Sequence, residues 1–400
     1  MSDSHCQIAV VGLGAIGAMS LWQASRRSSS VIGIDQYAPG HGWGSSHGGS
    51  RIFRRTVFEG PAYIPLAARA DELWDELDAQ AESPLRIRTG GLSIGTAGGD
   101  LITDAQTAAA AGGIEVETLD ADQLRRRYPQ HAIFDDDVAV FEPGAGVIRP
   151  EAAIHTAVDH AATASATIHV GSLVTAITQQ STGVTITTTA GTIHAERVIV
   201  AAGAWTTALL PEAGLPIRVQ RTVPVWFAAK PATASGADAF GPERFPVFIR
   251  ESGALGGWGI PDVDGRGVKI GISGHAKPWL AAIADNRTPA GEADIAPVTA
   301  FARAAFTGLD DRVPSAVPCM NAKTPDDEFI IGTCPGTPDV IVLAGFGGHG
   351  FKHATAVGQI AAELATGETP SIPIAAFAPG RFGPDPWPGP PHLVFAPGHP

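Results

Sequence analysis

Hydrophobic and polar positions change their period along the chain, and each change marks an element. Gln7 to Val11 is a short apolar run ending in glycines, and Ala15 to Arg27 continues with helical character. Val31 to Ile34 is a second short apolar run, closed by Asp35. Between Pro61 and Gln80, Leu66, Leu73, Trp74 and Leu77 recur at helical spacing beside Asp71, Glu72, Asp75 and Glu76, which predicts an amphipathic helix with one wet acidic face. From Ala161 to Ile193 there is no Asp, Glu, Lys or Arg, and Thr, Ser and Gln alternate with Val and Ile in the period of half-buried strands. A small β meander is expected there. It runs into Arg197 to Ala202, a continuous apolar strand of the kind covered on both faces. Ile217 to Phe227, Phe245 to Arg250, Ala254 to Ile260 and Gly267 to Ile272 read as successive strands of a larger antiparallel sheet. Asp339 to Ala344 returns to the buried parallel type, and His349 to Leu364 reads as the helix after it. The tail from Pro370 is rich in Pro and Gly and reads as an extended strap or a disordered end.

The first three elements enclose a motif with a mechanism. Gly12, Gly14 and Gly17 form GLGAIG between strand and helix, and Asp35 ends the next strand 21 residues beyond Gly14. The first glycine allows the tight turn, the second lets backbone approach a pyrophosphate, and the third lets helix and strand pack closely. The helix N-terminus offers free N–H groups to phosphates, and Asp35 can accept from ribose hydroxyls while repelling the extra phosphate of NADP. The fingerprint alone does not separate FAD from NAD. The loop PGHGWGSSHGGSRIFR, from Pro39 to Arg54, could wrap a long cofactor, with Arg51 and Arg54 near a ring or a carboxylate, or could be a surface loop with solvated arginines. The element order implies a nucleotide-binding domain built from separated pieces with a substrate-binding sheet inserted.

Size and charge narrow the classes. A chain of 400 residues can hold two sizeable cores, and 44% hydrophobic against 17% charged residues is a globular composition. A net charge of −13 makes nucleic acid and anionic membrane surfaces poor partners. Cys6, Cys319 and Cys334 are too scattered for a disulfide framework or a metal clip, so no metal is expected and a reducing cytoplasm suits them. The chain opens without the basic start and apolar stretch of about 7 to 15 residues of a secretory signal. The longest apolar run, Val198 to Leu210, is shorter than the roughly 20 residues of a bilayer span.

Three stretches together carry a family resemblance: GSSHGGSRIFR, then CMNAKTPDDEFIIG from Cys319, then AGFGGHGFKHATAVGQIAAELATG from Ala344. With them the chain resembles the monomeric sarcosine oxidase and N-methyltryptophan oxidase family of flavoproteins from residue 7 to residue 367. The resemblance implies a fold of the α/β and α+β classes: a Rossmann-like FAD-binding domain, from 1–85, 145–215 and 328–375, with an inserted, mainly antiparallel β-sheet substrate domain, from 86–144 and 216–327. Residues 376–400 form the tail. It also implies a monomeric enzyme that oxidises secondary or primary amines of amino acids with FAD and passes the electrons to O2, giving an imine and hydrogen peroxide.

Residue by residue, the resemblance makes Cys319 the attachment point of a covalent flavin; on its own an isolated cysteine is a small buried hydrophobe. Arg54 and Lys352 match a clamp on the substrate carboxylate, and His349 matches a histidine beside the flavin ring. Lys269 matches a lysine at the flavin N5 edge where O2 reacts, and Arg51 a cation on the opposite face. Ile16, Ser45, Ser46, Val174, Gly203, Gly347, Gly348 and Gly350 join Gly12, Gly14, Gly17, Asp35 and Lys352 as expected cofactor contacts. The sequence departs from the sarcosine oxidases at Asn321 and Trp258, where tyrosines are usual, and at Ser273, often a histidine. All three are expected to line the substrate side, so the pocket is altered while the cofactor machinery is kept. A biosynthetic oxidase of a larger or cyclic amine, a dehydrogenase with another electron acceptor, and a non-catalytic dinucleotide-binding module remain as alternatives.

Overall fold

The computed structural model describes residues 2–230, 239–273, 277–384 and 386–387. Its first layer is a sheet of eight strands around β1 (Ser2–Val11), which pairs in parallel with β2 (Val31–Ile34) on one side and with Gly191–Val200 on the other. β1 starts five residues earlier than its apolar run, because the polar Ser2 to His5 pair in register with Gly191 to His194. Gly191–Val200 then has two partners along its other edge: the antiparallel Val184–Thr188 beside its first half and the parallel Thr337–Ala344 beside its second. The predicted meander is therefore three strands, Val174–Gln179, Val184–Thr188 and Gly191–Val200. The fourth piece, Thr167–His169, leaves it to pair with β2 at the far edge.

Side chains alternate across this sheet. Ile8 and Val10 enter a core shared with α1 (Ala15–Ser25) and the helices Pro150–Thr163 and Ala354–Thr366, whereas Ala9 and Val11 enter one shared with the meander. Two buried faces explain why its second half, Ile8 to Val11, is apolar without interruption. The helix Tyr63–Asp78 buries Leu66, Leu73, Trp74 and Leu77. Its acidic face is engaged by arginines: Asp71 and Asp75 pair with Arg86, and Glu76 with Arg26.

The second layer is a sheet in the order Leu309–Ala316, Val225–Ala229, Val268–Ile272, Leu255–Ile260, Val247–Ser252, Gly91–Thr96, Asp137–Glu142, Glu117–Leu119. Every pairing is antiparallel except that of Val247–Ser252 with Gly91–Thr96. Val225, Phe227, Val268, Ile270 and Phe248 face a phenylalanine-rich core under the helix Glu292–Ala305, and the intervening Trp226, Lys269 and Ile249 face the other way into a cavity. The period of 2 thus divides this sheet into a packing face and a functional face.

Two expectations are corrected. Ile217 to Phe227 is not one strand: Arg218–Thr222 pairs with Cys319–Lys323 in a separate ribbon, and Val225–Ala229 joins the large sheet. Pro224 stands at the break, where it offers no N–H to a ladder. The element predicted from His349 starts later, with a 3-10 turn at Phe351–His353 and the helix Ala354–Thr366, so His349 sits in the loop before it. The predicted tail is partly described: Phe377 is fully buried and Arg381 pairs with Asp326, as a strap would be, while 385 and 388–400 lie outside the described residues. No helix among the described residues is long and apolar enough to cross a membrane.

Candidate active site

The turn between β1 and α1 follows from its glycines. Gly12 has φ +88°, and a Cβ there would lie 2.6 Å from the carbonyl oxygen of Ala201. A Cβ on Gly17 would lie 1.6 Å from the Gly12 oxygen, so this third glycine holds helix against strand and does not line the cavity. Gly14, the N-cap of α1, faces open space apart from Ser46 Oγ, and the first turn of α1 carries no acid. Ser46 Oγ accepts from Ala15 N at 3.1 Å. Asp35 is buried and braces the turn, accepting from Leu13 N at 2.6 Å and Tyr37 N at 2.8 Å. A helix N-terminus that admits close approach is an anion site, and the acid beside it keeps further acceptor capacity.

From this turn a cavity of about 870 Å³ runs between the two large sheets. It lies at the upper end of the roughly 300–1,000 Å³ of small-molecule sites, room for a long cofactor with a substrate beside it. Gly12, Gly14, Ile16, Asp35, Ser45, Ser46, Val174 and Gly203 line one part of it. Gly347, Gly348, His349, Gly350 and Lys352 line another, with Arg51, Arg54, Trp258, Lys269, Ser273, Cys319 and Asn321. Of the residues expected at the site, Gly17 alone is absent from its wall. No cluster of His, Cys, Asp and Glu among the described residues could hold a metal ion.

The loop between β2 and the strand Arg51–Phe53 is pinned from outside its own sequence. Gly48 and Gly49, both with positive φ, donate their N–H groups to Glu151 at 2.7 and 3.1 Å. This turns the carbonyls of Gly48 and Ser50 onto Lys269, whose Nζ donates to them at 3.0 and 2.9 Å. Lys269 is 2% exposed and lies 5.0 Å from the centre of the Trp226 ring. Burial, and then the charge of Arg51, hold its pKa well below the ordinary lysine value. Arg51 donates to the carbonyls of Ser50 and Ser45. Arg54 is buried, Arg51 is half-buried, and both line the cavity.

Cys319 is buried on the ribbon strand Cys319–Lys323 and, like Cys6 and Cys334, is a free thiol. Burial alone would raise its pKa, but hydrogen bonding with His47 and the charges of Arg51 and Lys269 bring it down to about 7. A thiol of that kind is about half thiolate at neutral pH, whereas burial pushes Cys6 up to about 12. His47 was not distinguished in the sequence from the other polar residues of its loop.

Arg54 and Lys352, 6% and 5% exposed, converge on one carboxylate within the protein, that of Glu59. Glu59 Oε1 accepts from Arg54 at 2.8 Å and from Lys352 at 2.6 Å. Arg54 also donates to Thr56 O and lies over the Phe58 ring. Burial opposes ionisation of Glu59, but the two cations outweigh it and hold the carboxyl well below its usual range. Burial lowers Lys352 to about 8 although Glu59 pulls the other way. The group is two cations on one anion, a net positive site able to take a second carboxylate. Burial takes His349 down to about 3, so its ring is neutral; Nε2 lies 3.4 Å from Tyr63 Oη. Glu59 escaped the sequence reading because an acid five residues after an arginine has no signature until the chain folds back.

Residues 7–364 match the model of the FAD dependent oxidoreductase family. The chain belongs to this family. The oxidoreductase is 31% identical over 384 residues to monomeric sarcosine oxidase of Streptomyces avermitilis, covering 96% of this chain and 99% of that one. It is 34% identical over 376 residues to N-methyl-L-tryptophan oxidase of Salmonella agona, covering 93% and 98%. Among solved structures, NikD, an unusual amino acid oxidase essential for nikkomycin biosynthesis, superposes with a TM-score of 0.80 at 22% identity over 94% of this chain and 98% of that one. Glycine oxidase from Geobacillus kaustophilus does so with 0.76 at 20%, over 95% and 100%. At those identities the likeness is one of fold. The residues fit the cofactor of the family: the glycine turn and Ser46 suit its pyrophosphate, Asp35 its ribose, and the low-pKa Cys319 faces the remaining space.

Proposed function

We propose that this oxidoreductase is an FAD-dependent oxidase of amino-acid amines, secondary or primary, whose carboxylate is held by Arg54 and Lys352. The observation that carries the reading is the convergence of those two buried cations on Glu59 at the wall of the cavity that Lys269 and Cys319 also line. FAD bound in the cavity supplies the two-electron acceptor and the route by which electrons reach O2. Overall, one C–H and one N–H hydrogen of the amine, two protons and two electrons in all, pass to O2, giving an imine and hydrogen peroxide; water then hydrolyses the imine.

The residues of the chain supply binding and electrostatics. Arg54 and Lys352 orient the substrate by its carboxylate, which makes the oxidation effectively intramolecular. His349, neutral and held at the cavity wall, offers a polar contact without adding charge. Trp258, Asn321 and Ser273 shape the side-chain pocket. Lys269 presents its buried amino group where negative charge develops on O2, and that developing charge favours its protonated form against the burial that lowers its pKa. Arg51 stands as a second cation near the ring site and lowers the pKa of Cys319, whose thiolate would form a thioether at the flavin methyl carbon, with one C–H hydrogen lost there as a proton and the electron pair passing through the flavin to O2.

A covalent bond is tested by acid precipitation. The purified protein should leave its yellow colour in the pellet, and Cys319→Ser should release it to the supernatant; colour released from both would remove Cys319 from this role. The oxidase reading is tested by peroxide release with N-methyl, cyclic and primary amino acids. One peroxide per imine supports it, and fast dye reduction with little peroxide would favour a dehydrogenase.

A further inference from the structure

The cavity wall carries six cations, Arg51, Arg54, Lys269, Lys277, Lys323 and Lys352, against the acids Asp35, Glu59 and Glu251, in a chain whose net charge is −13. Four of the cations have been accounted for above. Lys323 pairs with Asp327, an exposed residue. Lys277 makes no hydrogen bond or ion pair among the described residues.

The position of Lys277 is fixed by its neighbours. Pro278 O accepts from Arg221 N at 2.9 Å and Leu280 N donates to Val219 O at 2.8 Å, which lace this segment along the strand Arg218–Thr222. That strand pairs antiparallel with Cys319–Lys323, placing Thr222 opposite Cys319 and Gln220 opposite Asn321. Directly opposed residues project to the same face, and Gln220, Thr222, Cys319, Asn321 and Lys323 all line the cavity. Asn321 reaches Gly348, and Lys323 lies along Gly347 beside His349. Burial first, then the neighbouring charge of Lys323, lower the pKa of Lys277, and the charge of Cys319 offsets part of this. Two amides and two ammonium groups on one stretch of wall make a poor surface for an apolar side chain and a good one for a carboxylate.

We propose that Lys277 and Lys323, with Gln220 and Asn321, form a subsite for a second anionic group, so that the preferred substrate is an amino-acid amine bearing a carboxylate on its side chain. This rests on the amine oxidation proposed above. Arg54 and Lys352 take the carboxylate next to the reacting carbon, and the ribbon takes the distal one.

The test compares N-methylglutamate with N-methylglutamine, which differ in charge and little in shape, on the flavin-loaded enzyme. The acid should be oxidised with kcat/KM at least about tenfold above the amide, a preference of the size of one charge-assisted contact. That ratio should fall about tenfold in Lys277→Gln, fall less in Lys323→Gln because Asp327 already takes part of that charge, and return in Lys277→Arg. Equal kcat/KM for acid and amide in the unaltered enzyme would overturn the subsite, as would loss of bound flavin in Lys277→Gln, which would assign this charge to the cofactor. If neither these nor any other amine reduces the flavin, the proposal falls together with the function it rests on; turnover of amines without preference for the acid sinks the subsite alone.

Discussion

Lys269→Met should leave anaerobic reduction of the flavin by an amine close to that of the unaltered enzyme and slow reoxidation by O2 by about 10² to 10³-fold, the usual effect of removing one preorganised stabilising group. The expectation comes from geometry. Lys269 sits on the cavity face of its strand and is held by the carbonyls of Gly48 and Ser50, whereas Glu59 is held by Arg54 and Lys352. Its cation can act where O2 takes up charge without touching the carboxylate of the amine. Methionine matches the length of the stem and keeps the contact with Trp226, so packing is largely preserved. Rapid mixing of reduced enzyme with oxygenated buffer separates the half-reactions; equal reoxidation of the two proteins would remove Lys269 from this role.

The second large effect belongs to the carboxylate site. Replacing Arg54 or Lys352 singly with Met should weaken binding of an amino acid by roughly 1.5–3 kcal/mol, about 10 to 100-fold in KM, because each supplies a charged hydrogen bond. Single replacements are the informative ones, since removing both would leave Glu59 ionised and buried without a partner. The site should also show its own pH dependence. Lys352, lowered by burial to about 8, is charged below that pH and loses its proton as pH rises through it. Affinity for a carboxylate lacking an amine, followed by the perturbed flavin spectrum, should therefore fall as pH rises through about 8 and flatten in Lys352→Met. An unchanged affinity between pH 7 and 9 would contradict the assignment.

How much of this could be read from the sequence depends on the range of the forces involved. The turn at Gly12, Gly14 and Gly17 with Asp35 was legible because each demand is local: a positive φ at Gly12, the helix crossing at Gly17, an acid at a strand end. The buried parallel strands were legible as unbroken apolar runs, because both of their faces are covered. The ribbon of Arg218–Thr222 and Cys319–Lys323 was not, since the break at Pro224 matters only once a distant strand competes for the same edge. The wet face predicted for the helix Tyr63–Asp78 overlooked Arg86 and Arg26, which reach it from other elements.

The site divides along the same line. Lys269, Cys319, Arg54, Lys352 and His349 came from the family resemblance, and the fold gathers them around one cavity. Glu59, His47 and Glu151 carry no pattern of their own. Each gains its function through contact with a residue distant in space before folding: Glu59 through Lys352, His47 through Cys319, Glu151 through the loop it turns toward Lys269. Charges that act on other charges across the fold are the part that periodicity does not encode.

The central claim is that flavin held between the glycine turn and the cavity face of the second sheet, beside the cations that line the cavity, oxidises amino-acid amines. The measurement that tests it most directly is an anaerobic titration of the purified, flavin-loaded protein with a panel of N-methyl amino acids, followed by its visible spectrum. The account predicts that at least one of them bleaches the yellow colour completely and that admitting O2 restores it. A protein that takes up no flavin, or a yellow protein that no amine bleaches, would contradict it.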